Sequence, residues 1–210
     1  MRALVIYCHP RSGSFTAAVR DTVLAKLAQA GAEVRLRDLY SEGFDPVLSA
    51  REHEIYEDEA ENRVPVQRHC DDVAWCDTLI FVYPTWWYGL PAMIKGWLDR
   101  VLVPGLAFLM PDETSSDIRP GLTHIERLGV FTTCGASFWL TRVIGAPGKR
   151  TLLRGVRAIC AKRCRTVFAA HYLMDSSTAE SRARHLARVG AKMDKLMGRS
   201  AVARRDEVTA

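Results

Sequence analysis

The chain has 210 residues, 48% of them hydrophobic, enough to bury one substantial core without disulfides or a structural metal. No apolar run approaches the roughly 18 residues that a membrane span needs. The apolar start gives way at His9-Pro10-Arg11, too soon for a secretory signal peptide. The net charge of +5 is mild and owes part of its size to Arg199, Arg204 and Arg205. A cytoplasmic protein is expected, with one domain over residues 1–198 and a polar, disordered tail over 199–210. Cys8, Cys70, Cys76, Cys134, Cys160 and Cys164 are scattered, with no Cys-x-x-Cys pair and no histidine at zinc spacing, so reduced structural thiols and no metal are expected.

Residues 3–7 read as a first strand. Residues 14–30 follow as a helix, with Ala18, Val19, Val23 and Leu27 at helical spacing and Gly31 as its stop. Alternation over 33–39 predicts a second strand. The stretch 40–65 is irregular and acidic, and is expected to be a surface excursion holding a short helix. A helix over 66–75 leads into Thr78-Leu79-Ile80-Phe81-Val82, a short β-branched and aromatic run that predicts a buried parallel strand over 78–83. Residues 92–103 read as a helix with Met93, Ile94, Trp97, Leu98 and Val101 on one face. A long loop with Pro104, Pro111 and Pro120 precedes a strand over 125–133. A helix over 152–160, a strand over 166–173 and a terminal helix over 178–196 complete the pattern. Such alternation predicts a three-layer α/β fold, a parallel sheet covered on both faces by right-handed crossovers.

Ligands of open parallel sheets bind beyond the carboxyl ends of the strands, and three loops there have unusual sequences. The first runs from His9 to Thr16. It has neither the Gly-x-Gly-x-x-Gly of a dinucleotide unit nor the Gly-Lys-Ser/Thr of a nucleotide P-loop. Its Ser12-Gly13-Ser14 turn opens a helix, where hydroxyls, free backbone N–H groups and the positive helix end can hold a phosphate. A plain serine N-cap accounts for Ser12 or Ser14 but leaves His9 and Arg11 unexplained. The second loop, Pro84-Thr85-Trp86-Trp87-Tyr88-Gly89-Leu90-Pro91, carries three adjacent aromatics. With two prolines fixing the backbone and Gly89 read as the turning residue, it is either a flat shelf for a planar ligand or a core cap or subunit contact. The third loop, Thr132-Thr133-Cys134-Gly135-Ala136-Ser137, is small and polar, so its N–H groups can face developing negative charge.

Together these loops resemble those of the NAD(P)H:quinone oxidoreductases of the DT-diaphorase type. The resemblance rests on His9 with Ser14-Phe15, on Asp38-Leu39-Tyr40 followed by Phe44-Asp45-Pro46-Val47-Leu48-Ser49, on Pro84 through Arg100, on Gly105-Leu106-Ala107-Phe108, and on Thr132-Thr133-x-Gly135. It implies a flavodoxin-like fold with a five-stranded parallel sheet in the order 2-1-3-4-5. It also implies a non-covalent flavin, FMN or FAD, reduced by NAD(P)H and reoxidised by a quinone in ping-pong order, in a homodimer. His9, Ser14, Phe15 and Thr16 would then hold the flavin phosphate. Pro84, Thr85, Trp86, Trp87 and Tyr88 would frame the isoalloxazine, and Thr132, Thr133, Cys134 and Gly135 would border its pyrimidine side. The Tyr/His relay of mammalian-type members has no match, since the region reads Phe138-Trp139-Leu140-Thr141-Arg142. A flavin-binding electron carrier or regulatory subunit without its own NAD(P)H oxidation is the alternative. The basic run from Lys149 to Arg165 admits a nucleic-acid reading, but it lacks interleaved aromatics and is expected to be a solvated face, so no nucleic-acid partner is expected.

Overall fold

The structure, a computed structural model, describes residues 1–113 and 115–198; the expected tail over 199–210 lies outside the described residues. Strand β1 (Arg2–Tyr7) is apolar on both faces. Leu4 and Ile6 enter one core layer and Ala3, Val5 and Tyr7 the other, as the two-residue pleat requires. Ser14 caps helix α1 (Phe15–Gln29) by accepting the Ala17 N–H at 3.1 Å, and the chain then enters β2 (Glu33–Asp38). The acidic excursion holds the expected short helix, α2 (Ala50–Glu54), set by a capping box between Ser49 and Glu52. Helix α3 (Gln67–Trp75), β3 (Thr78–Thr85) and α4 (Ala92–Val101) follow near their predicted bounds, with β3 reaching past Tyr83 to Thr85.

The proline-rich loop forms an antiparallel pair that the sequence did not suggest, β4 (Phe108–Leu109) with β5 (Arg119–Pro120). Next come β6 (Arg127–Cys134), α5 (Phe138–Ile144), α6 (Pro147–Arg150), β7 (Arg165–His171) and α7 (Ala179–Leu196). Helix α5 falls where none is predicted. Its seven residues offer no polar face to betray a period, yet Ser137 caps it and Gly145, at φ 96°, ends it. Helix α6 starts ahead of the expected 152–160 segment because Pro147 suits a first helical turn, and it continues as a π-helical turn over Thr151–Val156.

The five long strands are all parallel and ordered β2-β1-β3-β6-β7, which is the expected order 2-1-3-4-5 of a flavodoxin-like fold. Helices α3 and α4 cover one face. There Trp97 is fully buried, meets Phe81 edge-on at 5.8 Å and donates its indole N–H to His69 Nδ1 at 3.2 Å. Helices α1 and α7 cover the other face with Val19, Val23 and Leu27 against Val189, Met193 and Leu196, and Lys26 pairs with Asp194 at 2.9 Å beside them. Each such fully buried side chain contributes about 1.5–3 kcal/mol. The excursion is clamped down by Asn62, whose amide donates to the Tyr56 carbonyl at 2.9 Å and the Pro104 carbonyl at 3.2 Å. Among the described residues no helix is long and apolar enough to cross a membrane.

Candidate functional site

Strand register sets the site. Pro84 lies beside Thr133, Thr85 beside Cys134, and Thr133 beside His171, so β3, β6 and β7 end at one level. Two hydroxyl pairs tie the strand ends together: Thr85 Oγ1 to Thr132 Oγ1 at 2.8 Å, and Thr16 Oγ1 to Thr133 Oγ1 at 2.9 Å. The second bond draws the start of α1 onto β6.

In the first loop, His9 Nδ1 accepts the Arg11 backbone N–H at 3.0 Å, which leaves the proton on Nε2. Burial holds this imidazole below its ordinary pKa, and with Nδ1 accepting, Nε2–H is the donor it presents. The N–H groups of Phe15 and Thr16 open α1 and have no intrahelical acceptor. Donors, a neutral imidazole and the Arg11 guanidinium thus stand around one helix N-terminus.

The second loop turns differently from the sequence expectation. Gly89 is not the residue in a special conformation; Trp87, at φ 48°, and Tyr88, at φ 61°, both occupy the left-handed region. They are the central pair of a tight turn closed by the Gly89 N–H donating to the Trp86 carbonyl at 3.0 Å, the geometry of a type I′ turn. Each non-glycine residue held there costs about 1–2 kcal/mol. Strain of this kind persists only where the surroundings impose it, and it clusters at functional sites. Part of that imposition comes from α6, since a Cβ on Gly148 would lie 3.0 Å from the Gly89 carbonyl carbon.

The third loop brings Gly135 against a carboxylate from after β7: a Cβ there would lie 3.0 Å from Asp175 Oδ2. The buried Cys134 thiol has the Thr141 hydroxyl at 3.8 Å as its polar neighbour. That contact brings no charge to activate it, in keeping with a spectator. In the core beneath the first loop, burial and the Asp38 carboxylate push the Cys8 thiol up to about 12, so it stays protonated.

The three loops enclose a cleft of about 940 Å³. His9, Ser14, Phe15, Thr16, Pro84, Thr85, Trp86, Trp87, Tyr88, Thr133, Cys134 and Gly135 all line it. Thr132 does not: its side chain is spent on the bond to Thr85, and it faces a smaller hollow behind the loop, beside Tyr83 and Tyr172. Arg11, Gly13, Ala136, Met174 and Asp175 line the cleft without having been singled out as site residues. The Met174-Asp175 pair follows the fifth long strand, so the rule that ligands sit beyond strand ends was the signal available for it. The cleft lies within the volume range of small-molecule sites. It pairs a flat aromatic wall with an anion-holding helix end, which suits a planar ligand carrying a phosphate. Among the described residues no group of three His, Cys, Asp or Glu side chains is placed to hold a metal ion.

The chain belongs to the flavodoxin-like fold family, whose model matches residues 1–196. An NAD(P)H oxidoreductase of Haemophilus influenzae, itself uncharacterized, is 34% identical over 65% of this chain and 66% of its own length. A ribosyldihydronicotinamide dehydrogenase (quinone) of Mus musculus is 30% identical over 67% of each chain. The alignments thus span about two thirds or less of the curated relatives, 55% in the case of an Escherichia coli NAD(P)H oxidoreductase. Among solved structures, the NAD(P)H:quinone oxidoreductase of Methanothermobacter marburgensis superposes with a TM-score of 0.78 at 24% identity, over 93% of this chain and 98% of that one. An FMN-dependent NADH-azoreductase of Bacillus anthracis superposes with a TM-score of 0.73 at 15% identity, over the same shares, 93% and 98%. The fold is therefore that of flavin-binding oxidoreductases related to quinone reductases and azoreductases.

Proposed function

We propose that this protein is a flavin-dependent NAD(P)H dehydrogenase of the quinone-reducing type. The observation that carries the reading is the convergence of the three loops on one cleft of about 940 Å³, with a helix N-terminus at one side and the strained aromatic turn at another. Bound flavin, FMN or FAD, would supply the two-electron exchange from NAD(P)H to a quinone or similar acceptor, in ping-pong order.

The residues present fit that group. The Phe15 and Thr16 N–H groups, the His9 Nε2–H, the Ser14 and Thr16 hydroxyls and Arg11 would hold its phosphate. Pro84, Thr85 and the turn Trp86-Trp87-Tyr88 would frame the ring system, and the loop from Thr133 to Gly135 would offer main-chain donors to its polar edge. Thr132 would act from behind, fixing Thr85. We assign no side chain as a proton donor, because none of the cleft residues reproduces the Tyr/His relay of mammalian-type members.

A homodimer forms part of the proposal. Trp87 is 94% exposed, and α5, which follows the third loop directly, exposes Trp139 at 70% and Val143 at 82%. Apolar side chains so exposed beside a cleft favour a subunit contact. We also place residues 1–198 in a single flavin-binding domain working in the cytoplasm, a setting that suits six free buried thiols.

The absorbance spectrum of the purified protein tests the reading. A flavin spectrum, release of FMN or FAD on denaturation, and oxidation of NAD(P)H dependent on an added quinone are expected. A colourless protein that takes up neither flavin would overturn it, and bound flavin with a stable one-electron state but no NAD(P)H oxidation would favour a carrier.

A further inference from the structure

A second hollow, of about 390 Å³, opens between the end of β7 and the first turns of α7. Its wall carries His171, Ser177, Ser181, Arg184, His185 and Arg188. Residues 181, 184, 185 and 188 share one face of α7, being three, four and seven positions apart. Among the described residues no carboxylate lines the hollow; Glu180, which takes the Thr178 hydroxyl at 3.1 Å, is outside the lining.

The bottom of this hollow is chemically unfinished. His185 is 2% exposed, and neither of its ring nitrogens has a hydrogen-bond partner; the buried Nδ1 of His171 has none either. The two rings meet edge-on at 5.2 Å, and His171 Nε2 stands 3.4 Å from the Ser181 hydroxyl. Buried polar atoms in folded proteins are almost always paired with protein, water or ligand, so three unpartnered imidazole nitrogens at one place give an occupant of the hollow groups to bond. Above them two exposed guanidiniums stand one turn apart with no lining carboxylate to neutralise them. Arginine pairs and hydroxyls are what a tetrahedral oxyanion takes. The Ser177 hydroxyl already accepts from Arg182 at 3.0 Å, which leaves its own proton free to donate.

We propose that this hollow binds the phosphate group of a small phosphate monoester. The oxyanion lies between Arg184 and Arg188, with the Ser177 hydroxyl and the imidazole N–H groups as inner donors; the Ser181 hydroxyl already donates to the Thr178 carbonyl at 2.9 Å. The space corresponds to roughly a dozen waters, so an organic body is accommodated with the phosphate. The hollow also shares a wall with the main cleft. Phe15, which lines the cleft, meets His171 edge-on at 5.3 Å and His185 at a tilt at 5.9 Å, so an occupant of the hollow presses on the rings that seat Phe15.

The test uses the purified full chain at constant ionic strength, titrated with inorganic phosphate and with glycerol 2-phosphate while the imidazole resonances of His171 and His185 are followed by NMR. Saturable shifts of both rings are expected, with the monoester binding more tightly than inorganic phosphate. Arg184→Gln with Arg188→Gln, at exposed positions that tolerate change, lowers the affinity at least tenfold, and so does the near-isosteric His185→Phe read by calorimetry. Arg11→Gln, at the main cleft, leaves it unchanged. The proposal is overturned by shifts that do not saturate, by an affinity insensitive to both the arginine pair and His185→Phe, or by binding that Arg11→Gln abolishes. None of these readouts depends on flavin or on turnover.

Discussion

Trp87 and Tyr88 sit in a conformation that glycine or asparagine would adopt at less cost, yet the chain places two large aromatics there. The strain favours the reading of this turn as a functional wall over that of a simple core cap, because a cap has no need of left-handed aromatics. Tyr88→Gly is expected to raise stability by about 1 kcal/mol, the relieved strain outweighing the added freedom of the unfolded chain. The same change should weaken flavin uptake. Urea unfolding and a flavin titration measure the two effects, and a variant less stable than the parent would refute the assignment of strain.

Two histidines outside the cleft contribute strongly to the molecule's acid sensitivity. Burial, reinforced by Arg37, lowers His69 to about 4, with Asp72 opposing; burial, with His171 and Arg188, lowers His185 to about 4. A depressed folded pKa means that the unfolded chain binds the proton first. The stability these neutral rings contribute is therefore complete above about pH 6.5 and is lost as pH falls towards about 4. Each should cost about 2 kcal/mol of stability between pH 7 and pH 5. Urea midpoints in phosphate-free buffer check this, and His185→Phe should remove about 2 kcal/mol of the decline; a slope unchanged by that substitution would count against the account.

At the scale of elements, α4 and the excursion are fitted backbone to backbone. A Cβ on Gly96 would collide with the carbonyl oxygen and Cα of Pro46, where no flexible side chain can yield. Gly96→Ala, a favourable change by helix propensity alone, is thus expected to destabilise by about 1–3 kcal/mol or more. Thermal unfolding measures it, and a stabilised variant would show that the helix can slide. This contact also marks how far local pattern reaches. The long strands and main helices were legible because their apolar residues either run unbroken, as in Leu79 to Val82, or recur at helical spacing, as in Trp97 with Val101. Helix α5 was hidden for want of a polar face, although its Ser137 and Gly145 boundaries were in view. The special backbone at Trp87 and Tyr88 was assigned to Gly89 because glycine is the usual resident of such a turn. Asp175 reaches the cleft through chain geometry alone, and nothing in its neighbourhood spells a motif.

For the whole molecule, the exposed face of α5 and the tip of the aromatic turn set the expected assembly. Val143→Glu, at a position 82% exposed in the single chain, should leave the fold intact and convert the proposed dimer to a monomer by light scattering. Loss of flavin turnover in that monomer would place part of the site across the contact. A dimer that survives the buried charge would move the interface elsewhere.

The pairing of α1 with α7 has a further consequence, for the order in which the chain acquires its structure. Strand β1 lies inside the sheet although both of its neighbours, β2 and β3, are made after it, and the layer over Val5, Val82 and Phe131 is closed by Val189, Met193 and Leu196 of α7, which is made after all five long strands. A nascent chain halted before Thr178 has its strands but lacks half of one covering layer, leaving an apolar sheet face open to neighbours. During synthesis this protein therefore passes through an interval between β7 and α7 in which aggregation competes with folding, and a ribosome pausing there would draw chaperones to the open face.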